Sequence, residues 1–400
     1  MKHKGLWIWT LSSCILLSGC WSSTPIEDLN LEAAVALDTP KETEIEKEYS
    51  QKGGGYPKQN RITTTFQFII PEGSSGSKKD GTQIKTFLNM SETGDSIYEA
   101  VRELSLRTDR PPIGHHLKII VIGEELARSI DISELTDFFT RDNDIRLSVL
   151  VMVSSGRASD VLSQALPNQI PAFVIRGIYT NKDRNSRIWE PLSLAKLLAP
   201  MHSKTSFLMQ NVIIAGKEPK FAGAGVMKGK TGKLIGFLNE AELEGMIWLT
   251  GKRNGGVLKT YDPENKNLIT YEILSINSKI KAKVQGEKIS FDVNIKSQGR
   301  YAERTASGTG GERLDPGITH KDEELLEKHV KELIHTTLQK MQTEYHVDVA
   351  DFGKALRIQH PKVWNKVKAN WDETFSSIPV TYNVKVQIKE YGASGTATEY

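Results

Sequence analysis

Cysteine is almost missing: the 400 residues contain two, Cys14 and Cys20, both in the first twenty positions. Nothing downstream of residue 20 can form a disulfide, a thiol nucleophile or a cysteine metal site. Long apolar runs are also lacking. The most hydrophobic stretch, Leu6-Trp7-Ile8-Trp9 through Cys14-Ile15-Leu16-Leu17, is interrupted by Thr10, Ser12 and Ser13 and falls short of the roughly 20 residues of a membrane-spanning helix. Neither charge is in excess, with 52 Lys and Arg against 49 Asp and Glu. That balance gives no support to nucleic-acid binding, which would show a basic excess clustered on one face. No Gly-x-Ser-x-Gly elbow and no zincin-type His pair at helical spacing is present, so neither of these catalytic constellations is encoded.

What is present begins at the N-terminus. Lys2 and Lys4 precede the apolar stretch, which closes on Leu17-Ser18-Gly19-Cys20. A basic head and a short apolar segment form a signal peptide. The closing run resembles the lipobox of bacterial lipoproteins, in which the cysteine thiol takes a diacylglyceryl group and cleavage makes that cysteine the new N-terminus. An ordinary secretory site wants a small residue where Leu17 stands; a retained N-terminal anchor is the other reading. The expectation is removal of residues 1–19, leaving 50 basic against 49 acidic side chains, and lipidation at Cys20. Two or more acyl chains give stable anchoring where one gives only marginal binding, so the protein is expected on the outer face of a cytoplasmic membrane.

The remaining length suits two or three domains. Leu31 to Leu37 is an apolar run too short to assign by pattern, and the charged, glycine-rich stretch Lys41 to Lys58 reads as an exposed loop. Arg61 to Ile70 alternates as a strand, with Thr82 to Met90 as its expected partner. Ser96-Ile97-Tyr98-Glu99 has capping-box spacing before a helix. Further strands are expected at Leu117 to Gly123 and Arg146 to Ser154, with helices at Ile132 to Phe139, Ala158 to Leu166 and Leu194 to Pro200. A second run of strands covers Phe207 to Ala215, Phe221 to Met227 and Lys233 to Leu238. A helix follows at Glu240 to Leu249, then strands Val257 to Tyr261, Leu268 to Lys283 and Lys288 to Ser297. Arg300 to Ile318 is expected to be irregular, Lys321 to Tyr345 to be the longest helix, and Val380 to Ile388 the last strand. The fold class is α+β, with mixed or antiparallel sheets flanked by helices in two main domains, 20–200 and 201–392, or three where these subdivide, and a tail at 393–400.

Two motifs hint at chemistry. Ala224 to Thr231 satisfies a permissive P-loop, but a P-loop joins a strand to a helix N-terminus, and here Gly232-Lys233-Leu234-Ile235-Gly236-Phe237 continues as a strand. A hairpin turn at Gly229 to Gly232 explains the same residues without nucleotide. His115-His116 has no acidic or histidine partner at i+4 and reads as a polar turn. Acid pairs such as Glu124-Glu125 sit at expected helix starts, where they suit the dipole. No catalytic, cofactor or metal residue emerges. Trp364 and Trp371, seven apart with Val367 between them, are placed on one helical face; they read as core, or as a partner contact if exposed.

The order of segments resembles the Ger(x)C family of spore-germination lipoproteins, the C subunits of nutrient germinant receptors. The likeness runs through Gly19-Cys20-Trp21, Gly114 to Ala127, Arg141 to Arg146, Phe221 to Lys228, Lys233 to Leu238, Glu244 to Leu249, Asp351-Phe352-Gly353, Pro361 to Trp364 and Trp371. Ser22-Ser23 stands where the family usually has an acidic residue. The resemblance implies a non-enzymatic, α+β subunit on the outer face of the spore's inner membrane, held by lipid through Cys20 beside two integral-membrane sister subunits and needed for the nutrient response. A solute-binding lipoprotein of an uptake system is the alternative from another class.

Overall fold

A computed structural model describes residues 25, 28–53, 59, 61–70, 86–164, 167–252, 255–305 and 316–390. The leader, Cys20 and the 393–400 tail lie outside the described residues.

The apolar run near residue 31 is strand β1 (Asn30–Asp38), buried from Glu32 to Leu37. It is followed by α1 (Glu44–Gln51), β2 (Ile62–Ile69), β3 (Phe87–Gly94), α2 (Ile97–Leu104) and the two-residue β4 (Pro112–Ile113). Then come β5 (Ile119–Gly123), α3 (Glu124–Ser129), α4 (Ile132–Arg141), β6 (Leu150–Ser154), α5 (Ala158–Ser163), α6 (Pro171–Ile178) and α7 (Leu194–Ser203). Strands β7 (Phe207–Ala215), β8 (Glu218–Lys228) and β9 (Lys233–Leu238) precede α8 (Glu240–Thr250). The second half holds β10 (Val257–Tyr261), β11 (Leu268–Gln285), β12 (Lys288–Arg304), α9 (Pro316–Gln339), α10 (Phe352–Gln359), α11 (Pro361–Val367), α12 (Trp371–Phe375) and β13 (Val380–Glu390).

Two sheets organise the described residues. The first runs β3-β2-β1-β5-β6-β7-β8-β9, with β4 beside β1. Its centre, β1, β5, β6 and β7, is parallel, and antiparallel strands stand on both flanks. The parallel strands are buried on both faces, which is why Leu31 to Leu37 shows no alternation. This sheet continues past residue 200 through β7, β8 and β9. The second sheet is β10-β11-β12-β13, antiparallel except for the parallel β12–β13 pair. Helix α8 joins the two: every residue from Glu242 to Leu249 is buried, in a core shared with Val226 and Leu238 of the first sheet and Tyr271 and Phe291 of the second. A helix apolar all round is a buried helix. Gly245 lets it approach α9, since a Cβ there would lie 2.4 Å from Leu333 O.

Several sequence expectations change. The presumed loop from Lys41 contains α1, started by a Thr43/Glu46 capping box in which Glu46 N donates to Thr43 Oγ1 (3.3 Å) and Thr43 N donates to Glu46 Oε2. Helix α6 is absent from the sequence reading; Pro171 stands at its first turn, where the missing N–H costs nothing. Helix α7 runs through Pro200 and stops at Lys204, which is left-handed (φ +53°). Strand β12 extends to Arg304 and α9 begins at Pro316, which narrows the irregular stretch expected between Arg300 and Ile318. The partner of β2 is Phe87–Gly94, with Ile69 opposite Phe87; the earlier part of the expected partner, residues 82–85, lies outside the described residues.

Side chains take edge backbone groups on β9, β11 and β13. On β13, Val386 N and Ile388 N donate to Glu327 and Glu323 of α9 (3.1 and 2.8 Å). On β11, Gln359 accepts from Ala282 N and donates to Ile280 O, both at 2.9 Å, as a paired strand would. On β9, the Tyr345 hydroxyl accepts from Phe237 N (3.1 Å) and donates to Phe237 O (3.0 Å), while Arg128 donates to Ile235 O (2.9 Å). Edges closed in this way resist pairing with another chain.

Candidate functional site

The site is built around the end of α9. That helix leaves through a wide turn (Lys340–Tyr345) and a left-handed His346 (φ +50°), which turns the chain into a buried segment containing Val347, Asp348, Val349 and Ala350. Asp348 organises the turn into α10. Its carboxylate accepts from Ala350 N (3.0 Å), Phe352 N (3.3 Å), Gly353 N (2.6 Å) and the Trp371 indole Nε1 (2.8 Å). Burial pushes its pKa up, and these four donors pull against that push. Gly353 is required because a Cβ there would lie 2.6 Å from Trp371 Nε1 and 3.0 Å from Trp364.

The same aspartate ties the two halves together. Asp348 N donates to Asp372 (3.1 Å), Asp372 accepts from Ser206 Oγ (2.8 Å), and Ser206 Oγ accepts from Gly229 N (3.0 Å) in the β8–β9 turn. A chain of hydrogen bonds thus runs from the tryptophans to the first sheet.

Trp364 and Trp371 do not share one helix. Helix α11 ends at Val367, a single 3-10 turn covers Lys368–Asn370, and Trp371 opens α12. The rings nevertheless meet edge to face, 5.3 Å between centroids. Trp371 is buried and Trp364 half-buried against the core. Both border a cleft of about 580 Å³ between this corner and the β8–β9 turn.

The cleft is basic. Lys228 and Lys230 reach it from the β8–β9 turn, and Lys354, Arg357 and Lys368 from the helical corner. These five side chains make no ion pair or hydrogen bond with any described residue. The acids bordering the cleft are mostly engaged: Asp348 and Asp372 as above, and Asp351 with Lys252 at 2.8 Å. Glu373 is exposed. Sequence reasoning missed this feature although a signal existed. From Phe352 to Trp371 there is no Asp or Glu, while Lys354, Arg357, Lys362, Lys366 and Lys368 all fall there. A near-neutral total concealed a strongly basic segment.

The other motifs resolve simply. Ala224 to Thr231 is strand and hairpin turn, closed by Gly232 N donating to Lys228 O at 2.8 Å with Gly232 at φ +65°. No helix begins there, so its lysines reach the cleft without a P-loop geometry. His115 and His116 lie in a 3-10 turn before β5, where His115 faces Asp144 at 3.6 Å. Among the described residues no cluster of His, Cys, Asp or Glu could hold a metal ion, and no helix is long and apolar enough to cross a membrane.

Residues 22–214 match the family described as "Spore germination protein N-terminal domain", and residues 222–392 the one described as "Spore germination B3/ GerAC like, C-terminal". Spore germination protein YndF of Bacillus subtilis (strain 168) is 42% identical over 387 residues, covering 96% of this chain and 95% of that protein. The chain belongs to the Ger(x)C family. Spore germination protein B3 of the same organism is 30% identical over 95% of this chain and 96% of its own length. The crystal structure of the GerBC protein superposes with a TM-score of 0.61 at 26% identity, over 90% of this chain and 99% of that one. The Ger(x)C architecture accounts for several segments of the resemblance. Gly245 within Glu244 to Leu249 is the α8–α9 contact, and Asp351-Phe352-Gly353 is the turn that Asp348 caps.

Proposed function

We infer that this chain is a lipid-anchored subunit of a spore nutrient germinant receptor, required for the germination response and acting through assembly with integral-membrane sister subunits. The observation that carries the reading is full-length similarity to spore germination proteins. The N-terminal run ending Leu17-Ser18-Gly19-Cys20 supports an anchor at the outer face of the cytoplasmic membrane. On the non-enzymatic reading, buried polar groups such as Asp348 and Ser206 serve to join the two halves, and the chain works by presenting surfaces to partners. Where side chains take the edge groups of β9, β11 and β13, contacts through side chains are favoured over strand addition.

Metabolic labelling with a radioactive fatty acid tests the anchor, and affinity purification from detergent-solubilised spore membranes tests the assembly. The wild-type chain is expected to carry label and to co-purify with integral-membrane proteins, and Cys20→Ala to carry none. A wild-type chain without label contradicts the anchor. A labelled chain that purifies alone contradicts the assembly.

A further inference from the structure

Five cations that make no ion pair with a described residue line one concavity from both of its walls, and with Lys204 they outnumber its four carboxylates, Asp348, Asp351, Asp372 and Glu373. Unpaired like charges repel one another and focus a positive potential in a cleft with low-dielectric walls. Such an arrangement is relieved by an anion. At about 580 Å³ the cleft has the size of a small-ligand site. An extended acidic peptide would seek a strand edge, but the neighbouring edges of β9 and β11 are taken by Tyr345, Arg128 and Gln359. Four of the five cations are lysines, compact point charges suited to phosphate, and the fifth is an arginine whose guanidinium can grip two oxygens. Half-buried Trp364 supplies an apolar wall for the body that carries the charge.

We propose that the cleft between the β8–β9 turn and the Trp364/Trp371 corner is a binding site for a phosphate group carried on a small organic body. Lys228 grips it from one wall, Lys354 and Arg357 from the other. Two sources offer this chemistry: the headgroup of an anionic phospholipid and a soluble phosphate ester. Occupancy bridges the two walls, so it also stabilises the joint between the halves.

The test is calorimetric titration of the purified full chain in neutral detergent with glycerol phosphate, dihexanoyl phosphatidylglycerol below its micelle concentration, and a hexa-glutamate peptide. Saturable binding of a phosphate compound is expected, weakened at least tenfold in the triple variant Lys228→Gln, Lys354→Gln, Arg357→Gln. It is expected to persist in the control Lys362→Gln, Lys366→Gln, which removes charge from the same segment outside the cleft. Tighter binding of the phosphatidylglycerol identifies a lipid headgroup as the source, and equal or tighter binding of glycerol phosphate a soluble ester. No saturable phosphate binding, equal weakening in the control, or binding of hexa-glutamate alone overturns the proposal. These outcomes are read on the isolated chain, so they leave the receptor reading, which is scored in spores, to stand or fall separately.

Discussion

Replacing Glu32 by Gln is expected to flatten the pH dependence of stability, such that the variant gains about 3 kcal/mol on the wild type between pH 4.5 and pH 7. Glu32 is 5% exposed in the middle of the first sheet. Burial, reinforced by the nearby Asp142 carboxylate, raises its pKa from 4.5 to about 8. In the unfolded chain the carboxyl ionises near its ordinary value. From pH 4.5 to about 8 the folded state therefore holds a proton that the unfolded state has lost, and stability falls as pH rises through that window. The contribution is complete below the unfolded value and gone above the folded one. Gln cannot ionise, so its stability lacks this slope. Urea unfolding of both chains at pH 4.5, 6, 7 and 8 checks the claim. Parallel profiles would mean that Glu32 is solvated or paired in solution.

Asp348→Ala is expected to cost about 4 kcal/mol, because four buried N–H donors lose their acceptor and each unsatisfied donor costs on the order of 1–3 kcal/mol, less than additively. The damage should extend across the molecule. The Asp348–Asp372–Ser206–Gly229 chain is the hydrogen-bonded link between the tryptophan corner and the first sheet, so amide exchange at Gly229 should accelerate with exchange at Gly353. Asp348→Asn should fall between, since its amide keeps one acceptor oxygen and turns two donors toward groups that already donate. A loss under 1 kcal/mol would show that water replaces the carboxylate and that the turn does not depend on it.

Much of the fold is legible where information is local. The Ser96/Glu99 capping box is formed, with Glu99 N donating to Ser96 Oγ at 3.1 Å and Asp95 N to Glu99 at 2.9 Å. Strands β7, β9 and β10 fall on the expected residues because alternation and bounding turns mark them. The hairpin reading of Ala224 to Thr231 holds because glycine spacing and the following strand are visible in the chain itself. Long-range features are less legible. The turn that Asp348 caps is local, with donors at Ala350, Phe352 and Gly353, but its tie to the Trp371 indole spans 23 positions and is invisible in the sequence. The break between α11 and α12 is hidden because a seven-residue spacing is the same in a straight helix and in one interrupted by a 3-10 turn. Helix α1 escapes although Thr43-Glu44-Ile45-Glu46 announces it, because charge and nearby glycines also read as loop. The basic cleft draws its lysines from segments more than 100 residues apart, and overall charge balance conceals it.

The most direct measurement is nutrient-triggered germination of spores lacking this chain, scored over a panel of amino acids, sugars and nucleosides beside the wild type and a complemented strain. Loss of the response to at least one nutrient, restored by the wild-type chain, is the result a germinant-receptor subunit requires. Intact responses to every nutrient together with collapsed uptake of one solute would contradict the receptor account and favour a solute-binding lipoprotein.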